Sequence, residues 1–332
     1  MRAEALEFLR CARCAARPLT LRSDEADARE IRAGLLSCAA CGASFAIRRG
    51  IPDLLDPDDQ VLAREVAGWE TLAGELDEGL VPTMTALPWY PHPPWPYVAP
   101  DFFQIFEHLD LKGARILDFG AGRCWSSRHL AALGEGAEVV AVDVLTKRFL
   151  GLETADIFMA EDGGYFERLR ADAHRLPIVD GWFDLVVACA SVHHSGDLFD
   201  LFRELARVLR PGGFLVFLSE PSKAERIEAR QPDNEETRLG INEHIYSLRE
   251  YVAALAAANL GRRRRLLPRS IALRLLRQDP EFLVGFPARL VPFVKHPLGR
   301  RLLLRSLALP GLGSLLYRFI NLPLTMVAQK PA

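Results

Sequence analysis

Residues 116–124 read Ile-Leu-Asp-Phe-Gly-Ala-Gly-Arg-Cys, an apolar run, an acid, and two glycines one residue apart. An apolar run that breaks into glycine marks a buried strand feeding a tight turn, a signal shared by nucleotide-binding folds of several kinds. The dinucleotide fingerprint needs a third glycine three residues beyond the second, and that position holds Trp125. A phosphate loop needs Gly-Lys followed by Ser or Thr, which this stretch lacks. An acid at 118, ahead of the glycines, repels pyrophosphate but can receive an ammonium group. The ligand this describes is a cationic amino acid joined to a nucleoside.

Outward from this stretch, apolar strands alternate with amphipathic helices after Asp101, the pattern of a parallel sheet covered on both faces. The first strand is Arg115–Phe119, followed by a helix from about Cys124 to Leu133. The second is Glu138–Val142, closed by Asp143, and the third runs near Phe166–Arg170. The fourth is Phe183–Cys189, followed by Ser-Val-His-His-Ser. A helix over Leu198–Leu209 stops at Pro211-Gly212-Gly213, and the fifth strand is Phe214–Ser219.

Leu117-Asp118-x-Gly120-x-Gly122 resembles motif I of the class I S-adenosylmethionine-dependent methyltransferases, and four later landmarks follow in register. Asp143 stands twenty-one residues beyond Gly122; then come Asp172-Ala-His-Arg-Leu-Pro177, Phe183-Asp184-Leu-Val-Val and Leu209-Arg-Pro-Gly-Gly213. The resemblance covers about 101–260 and returns at Leu324–Lys330, which is similar to the family's final antiparallel strand. It implies an α/β, Rossmann-like sheet with helices on both faces. It also implies that Asp118, Gly120 and Gly122 lie under the methionine part of S-adenosyl-L-methionine, that Asp143 binds the ribose hydroxyls, and that Asp172 and Ala173 meet the adenine. Cys124 stands where the family often has a third glycine.

Methyl transfer from a sulfonium is an in-line displacement, governed by positioning and desolvation. A base is needed only when the acceptor must lose a proton. The acceptor belongs beyond the carboxyl ends of the fourth and fifth strands, where the candidates are His193, His194, Glu220 and Glu243-His244-x-Tyr246, just before a helix over Leu248–Leu260. We expect His193 or His244 to act as the base. Cys189 reads as a buried small residue.

The front of the chain carries Cys11-x-x-Cys14 and Cys38-x-x-Cys41, separated by 23 residues. Two such pairs complete a tetrahedral sulfur site, with Zn2+ as the expected structural occupant. With Gly50-Ile-Pro52 behind it, residues 8–56 resemble the zinc-ribbon module of the tRNA-methyltransferase activator family. Three segments follow: a zinc ribbon over 1–56, a connector over 57–100, and a methyltransferase domain over 101–332. The connector reads as a helix around Val61–Leu72, then seven prolines from Pro82 to Pro100 among Trp89, Tyr90, Trp95 and Tyr97. We expect it to pack on the next domain through its aromatics; a lid over the site is the alternative.

The net charge of −2 hides an asymmetry, because residues 262–332 carry fourteen Lys/Arg against Asp279 and Glu281. Within them, 268–322 read as a helical insertion before the last strand, with leucines and arginines interleaved. An ordinary helical cap, peripheral association with a membrane and, less favoured, RNA binding are all compatible. No run of about 18 apolar residues occurs and no apolar leader precedes residue 15, so we expect a cytoplasmic protein, with peripheral attachment to the inner membrane face as an extension. The expected function is O-methylation of a small-molecule, saccharide or lipid-linked acceptor. The alternatives are an rRNA/tRNA methyltransferase gripping RNA through Arg10, Arg13, Arg17 and Arg22, or a binding protein without catalysis.

Overall fold

The computed structural model describes residues 1–228 and 231–332. Strands β1 (Leu19–Ala26), β2 (Ile31–Cys38), β3 (Ser44–Arg48) and β4 (Ile51–Pro52) form an antiparallel sheet in that order. Next come β5 (Arg115–Phe119), β6 (Glu138–Asp143), β7 (Glu167–Arg170), β8 (Phe183–Cys189) and β9 (Leu209–Glu220). A two-residue ribbon joins β10 (Ser222–Lys223) to β11 (Tyr246–Ser247), and β12 (Gly261–Leu266) and β13 (Leu324–Gln329) complete the set. The large sheet has the order β12-β13-β9-β8-β5-β6-β7, parallel from β9 to β7 and antiparallel at β13 and β12.

Consecutive apolar residues in the central strands are buried whichever face they point to: Ile116, Leu117, Val186 and Val187 are all fully buried. That is what a parallel sheet wrapped on both faces demands, and it is why these strands were legible as apolar runs. The expected final strand at Leu324–Lys330 is present and antiparallel. Two details differ from expectation. The fifth strand begins at Leu209, so Pro211-Gly212-Gly213 lies inside it as an irregularity, with the pairing shifted against β8. Gly212 takes a left-handed φ of +76°, and a Cβ on Gly213 would sit 2.9 Å from the Arg210 carbonyl. Strand β12 is Gly-Arg-Arg-Arg-Arg-Leu, whose run of exposed cations carries no apolar alternation but suits an edge that must not recruit another strand.

The N-terminal sheet is not an appended bead. Its strands share one core with the large sheet: Leu9, Leu36 and Ile47 belong to the same apolar cluster as Leu117 and Val140. Its backbone caps the outer edge of β7 and the segment beyond, where Leu54 N–H donates to Arg170 O (2.9 Å), Arg10 N–H to Pro177 O (3.0 Å) and Val179 N–H to Phe8 O (2.9 Å). A buried charge cluster pins the junction. Arg168 of β7 is fully buried and donates to Glu30 and Asp156, while Arg32 reaches the same two carboxylates and the Met1 ammonium lies 2.9 Å from Glu30.

Removing one member of a buried ion pair strands the other in low dielectric, at about 3–5 kcal/mol. Glu30→Ala should therefore lower the unfolding free energy by an amount in that range, whereas Arg22→Ala on exposed β1 should shift it by less than about 0.5 kcal/mol. Chemical denaturation followed by tryptophan fluorescence checks both.

Candidate active site

The loop after β5 is shaped by two glycines and a cysteine with left-handed backbone: Gly120 (φ +64°), Gly122 (φ +47°) and Cys124 (φ +59°). A Cβ at Gly120 would meet Ser191 Cβ at 2.4 Å, so glycine is compulsory there; at Gly122 the same atom would enter open space. Cys124 is fully buried beneath the helix Trp125–Leu133 and takes no part in the cavity wall. The missing third glycine therefore costs backbone strain, on the order of 1 kcal/mol, and no space.

Asp118 is placed differently from the expectation. Its carboxylate is buried under the loop, where Oδ2 accepts from Ser126 Oγ (2.6 Å) and Ser127 Oγ (2.5 Å), and burial pushes its pKa up to about 6. It stands behind the cavity wall, and its Oδ1 has no hydrogen-bond partner among the described residues. It holds the first turn of the helix against the end of β5.

Above the loop opens a cavity of about 430 Å³. The ends of β6, β7 and β8 supply Asp143, Asp172, Ala173, Cys189 and Ser191 to its wall. Asp143 Oδ2 accepts from Gly122 N–H and Oδ1 from Leu145 N–H, both at 2.8 Å, and burial raises its pKa. Asp172 accepts from His174 N–H (2.9 Å) and faces His174 Nδ1 at 3.2 Å. Burial would raise Asp172, but those His174 bonds prevail and hold it below the usual range. Burial drives the Cys189 thiol well above its ordinary value, so it is no thiolate nucleophile.

Of the four candidates for chemistry, the structure brings only His194 to the cavity. His193 is enclosed: Nδ1 lies 2.8 Å from Glu220, and Nε2 lies 3.6 Å from Glu243. Burial would lower its pKa, yet the two carboxylates hold the imidazolium, up to about 10. Glu220 is fully buried and its oxygens accept the N–H groups of Ser191, Val192 and His193, so it is a loop anchor. His244, which donates its backbone N–H to His193 O, stands outside the wall. His193, enclosed between Glu220 and Glu243, and His244 both stand outside the cavity wall, which sets His194 nearer to the place of a base than either.

His194 Nδ1 lies 2.6 Å from the Asn242 carbonyl, an acceptor only, so Nδ1 carries the proton and Nε2 keeps its lone pair. Burial and the charge on His193 bring its pKa down to about 4, leaving it neutral. Facing the same space is a residue that the sequence did not single out. Glu65, on the helix Gln60–Ala73, is 7% exposed, lines the cavity and accepts from Asn242 Nδ2 at 2.8 Å. Burial raises it to about 7, partly offset by the Asn242 bond. Its signal was an acid inside the stripe Leu62, Glu65, Trp69, at helical spacing. The connector also gives Pro94, Trp95 and Val98 to the wall, so it covers the site as well as packing beside it.

A parallel sheet with β13 turned antiparallel, a glycine loop after its central strand and acids closing the next two strands define the class I methyltransferase architecture. Residues 117–217 match the family described as methyltransferase domain. The chain is 35% identical over 118 residues to the malonyl-[acyl-carrier protein] O-methyltransferase of Legionella pneumophila, across 35% of this chain and 39% of that protein. It is 36% identical over 155 residues to the 27-O-demethylrifamycin SV methyltransferase of Amycolatopsis mediterranei, across 45% of this chain and 54% of that one. The chain thus spans about half or less of these relatives. The crystal structure of geranyl diphosphate C-methyltransferase from Streptomyces coelicolor superposes with a TM-score of 0.54 at 16% identity, covering 83% of this chain and 99% of that one, and shares the fold. Residues 117–217 are thus similar to a methyltransferase domain, and the sheet around them shares its fold.

The raised Glu65 pKa has a stability consequence. A carboxyl whose folded pKa exceeds its unfolded value favours folding while protonated, and stability is lost as pH rises from about 4.5 through about 7. Glu65→Gln abolishes that loss, so relative to the parent it should gain on the order of 2 kcal/mol between pH 5 and pH 8. Denaturant unfolding at the two pH values checks it.

Proposed function

We propose that this chain is an S-adenosyl-L-methionine-dependent methyltransferase that acts on a hydroxyl of a small, apolar or lipid-linked acceptor. The observation that carries the reading is the cavity in which the glycine loop, Asp143 and Asp172 face Glu65 and His194 across one space. Gly122 leaves room for the methionine part; Asp143 retains lone pairs for ribose hydroxyls beyond its two backbone bonds; Asp172 and Ala173 border the place for the adenine. When bound, S-adenosyl-L-methionine would supply the methyl group to the acceptor oxygen, its carbon–sulfur bond breaking to give S-adenosylhomocysteine, and the hydroxyl proton would pass to the protein. Asn242 aligns two acceptors for that proton, Glu65 through its side chain and His194 through its carbonyl. A carboxylate poised near pH 7 suits the task.

Three of the four ribbon arginines named for RNA are engaged within the protein. Arg10 lies within 3.8 Å of Asp180 and Glu204, Arg22 pairs with Asp24, and Arg17 donates to backbone carbonyls. The reading without catalysis rested on Cys124, which does not intrude on the cavity.

Calorimetry with S-adenosylhomocysteine should show saturable binding. Gly122→Ala, which puts a methyl into the open floor, should weaken it by at least about tenfold while costing only about 1 kcal/mol of stability. Labelled methyl should then pass into a small-molecule or lipid fraction of cell extract. Absence of binding by the parent protein would overturn the assignment.

We also propose Zn2+ for the N-terminal cysteines. Cys11, Cys14, Cys38 and Cys41 are free of disulfides, and their Sγ atoms lie within 4.8 Å of one another, with two pairs at 3.6 Å. A tetrahedron with ~2.3 Å Zn–S arms has edges of about 3.8 Å, a close match. The ion would staple the turns at 11–14 and 38–41 with no open position for chemistry. Elemental analysis of purified protein should give about one zinc per chain, and Cys11→Ser/Cys41→Ser should lose it.

A further inference from the structure

The exposed large apolar side chains are not scattered over this molecule. Among the described residues, nine of thirteen fall between Leu276 and Phe319, inside the insertion that joins β12 to β13. The helix Pro297–Ala308 shows why the fold does not account for them. Its inner stripe, Gly299, Leu303 and Leu307, is buried, whereas Leu298 (59% exposed) and Leu302 (45%) form a second apolar stripe on the outer side, which Leu309 (56%) extends. Phe293 and Phe319 stand exposed on the flanking segments. A helix that only covers the sheet needs one apolar stripe.

The charges around this stripe are of one sign. No acidic residue follows Glu281 in the chain. Among the described residues, Arg289, Lys295, Arg300, Arg301 and Arg305 have no carboxylate partner within ion-pair distance, in a molecule whose arginines are otherwise widely paired. We infer that the outer face of residues 276–319 lies in the interface of an anionic membrane, with the leucines and phenylalanines among the acyl chains and the unpaired cations against phosphate headgroups. A second copy of this chain fits worse, because a two-fold contact would set these cations against their own equivalents.

The location agrees with the proposed acceptor. Leu266 at the end of β12 pairs with Thr325, and Leu324 with Glu220 at the end of β9, so both ends of the insertion leave the sheet at the edge where the cavity opens. Its first helix, Arg269–Arg277, packs on the helix Trp95–Gln104 through Ser270–Asp101 hydrogen bonds and Arg274 over the Tyr97 ring. That same helix gives Trp95 and Val98 to the cavity wall. The insertion that carries the docking surface thus adjoins the site through its first helix, as extraction of an apolar acceptor from a bilayer requires, and this last step alone rests on the function proposed above.

Flotation of the full chain with phosphatidylcholine vesicles, with and without about one-third phosphatidylglycerol, tests the surface with no need for turnover. Association with the anionic vesicles is expected, weakening several-fold from low to physiological salt. Arg300→Gln/Arg301→Gln/Arg305→Gln and Leu298→Ser/Leu302→Ser/Leu309→Ser should each reduce it about tenfold or more, with the unfolding midpoint and S-adenosylhomocysteine binding unchanged. No association with either vesicle, equal association with both, a concentration-dependent dimer that these variants abolish without vesicle binding, or retention on RNA in its place would each overturn the inference. Failure of S-adenosylhomocysteine binding with flotation intact would remove the function and leave the surface.

Discussion

A buried carboxylate at the end of β9 carries the organisation of the site. Parallel strands end together at one edge, and the loops that leave them expose backbone N–H groups that must find acceptors away from water. Glu220, fully buried, accepts three successive N–H groups from Ser191 to His193 and the Nδ1 side of His193 as well. The loop so fixed sets Ser191 against Gly120, which forces glycine at that position, and turns His194 toward the cavity. Asp118 and Asp143 act in the same way at neighbouring strand ends, the first through two serine hydroxyls and the second through the N–H groups of Gly122 and Leu145. Three acids that sequence alone would assign to ligand or proton are first of all the fasteners of three loops, and only Asp143 also faces the open space.

The parts of the fold that were legible are those in which burial dictates composition. β5, β6 and β8 appear as apolar runs because both of their faces are covered, and their limits were read to within a residue. β12 escaped notice since an exposed edge tolerates four arginines in a row. β1 and β2 fill the spacer between the cysteine pairs, with mostly exposed residues in β1 that give no clean alternation. The irregular start of β9 was read as a turn because Pro-Gly-Gly ordinarily ends a strand.

At the site, legibility followed distance along the chain. Asp143, Asp172 and the glycines lie at strand ends of one contiguous pattern. Glu65 arrives from a helix more than fifty residues earlier, and no local signal ties it to Asn242, its partner 177 positions away. The histidines were visible as a pair, but which of them faces the cavity depends on the carboxylates behind His193, Glu220 and Glu243, both distant in sequence. Spacing identifies the loop; only packing decides which side chain turns outward.

The manner in which the N-terminal sheet caps β7 bears on how this chain can be cut. The hydrogen bond from Leu54 to Arg170 and the Glu30–Arg168 pair cover what is otherwise the last strand of the large sheet. A shortened polypeptide beginning after residue 56 would uncover a bare strand flank and leave the Arg168 guanidinium with Asp156 alone, an invitation to stack edge to edge with its own kind. The large-sheet portion is thus not separable from the cysteine-bearing portion at the boundary that residue patterns suggest, and solubility would register the damage first.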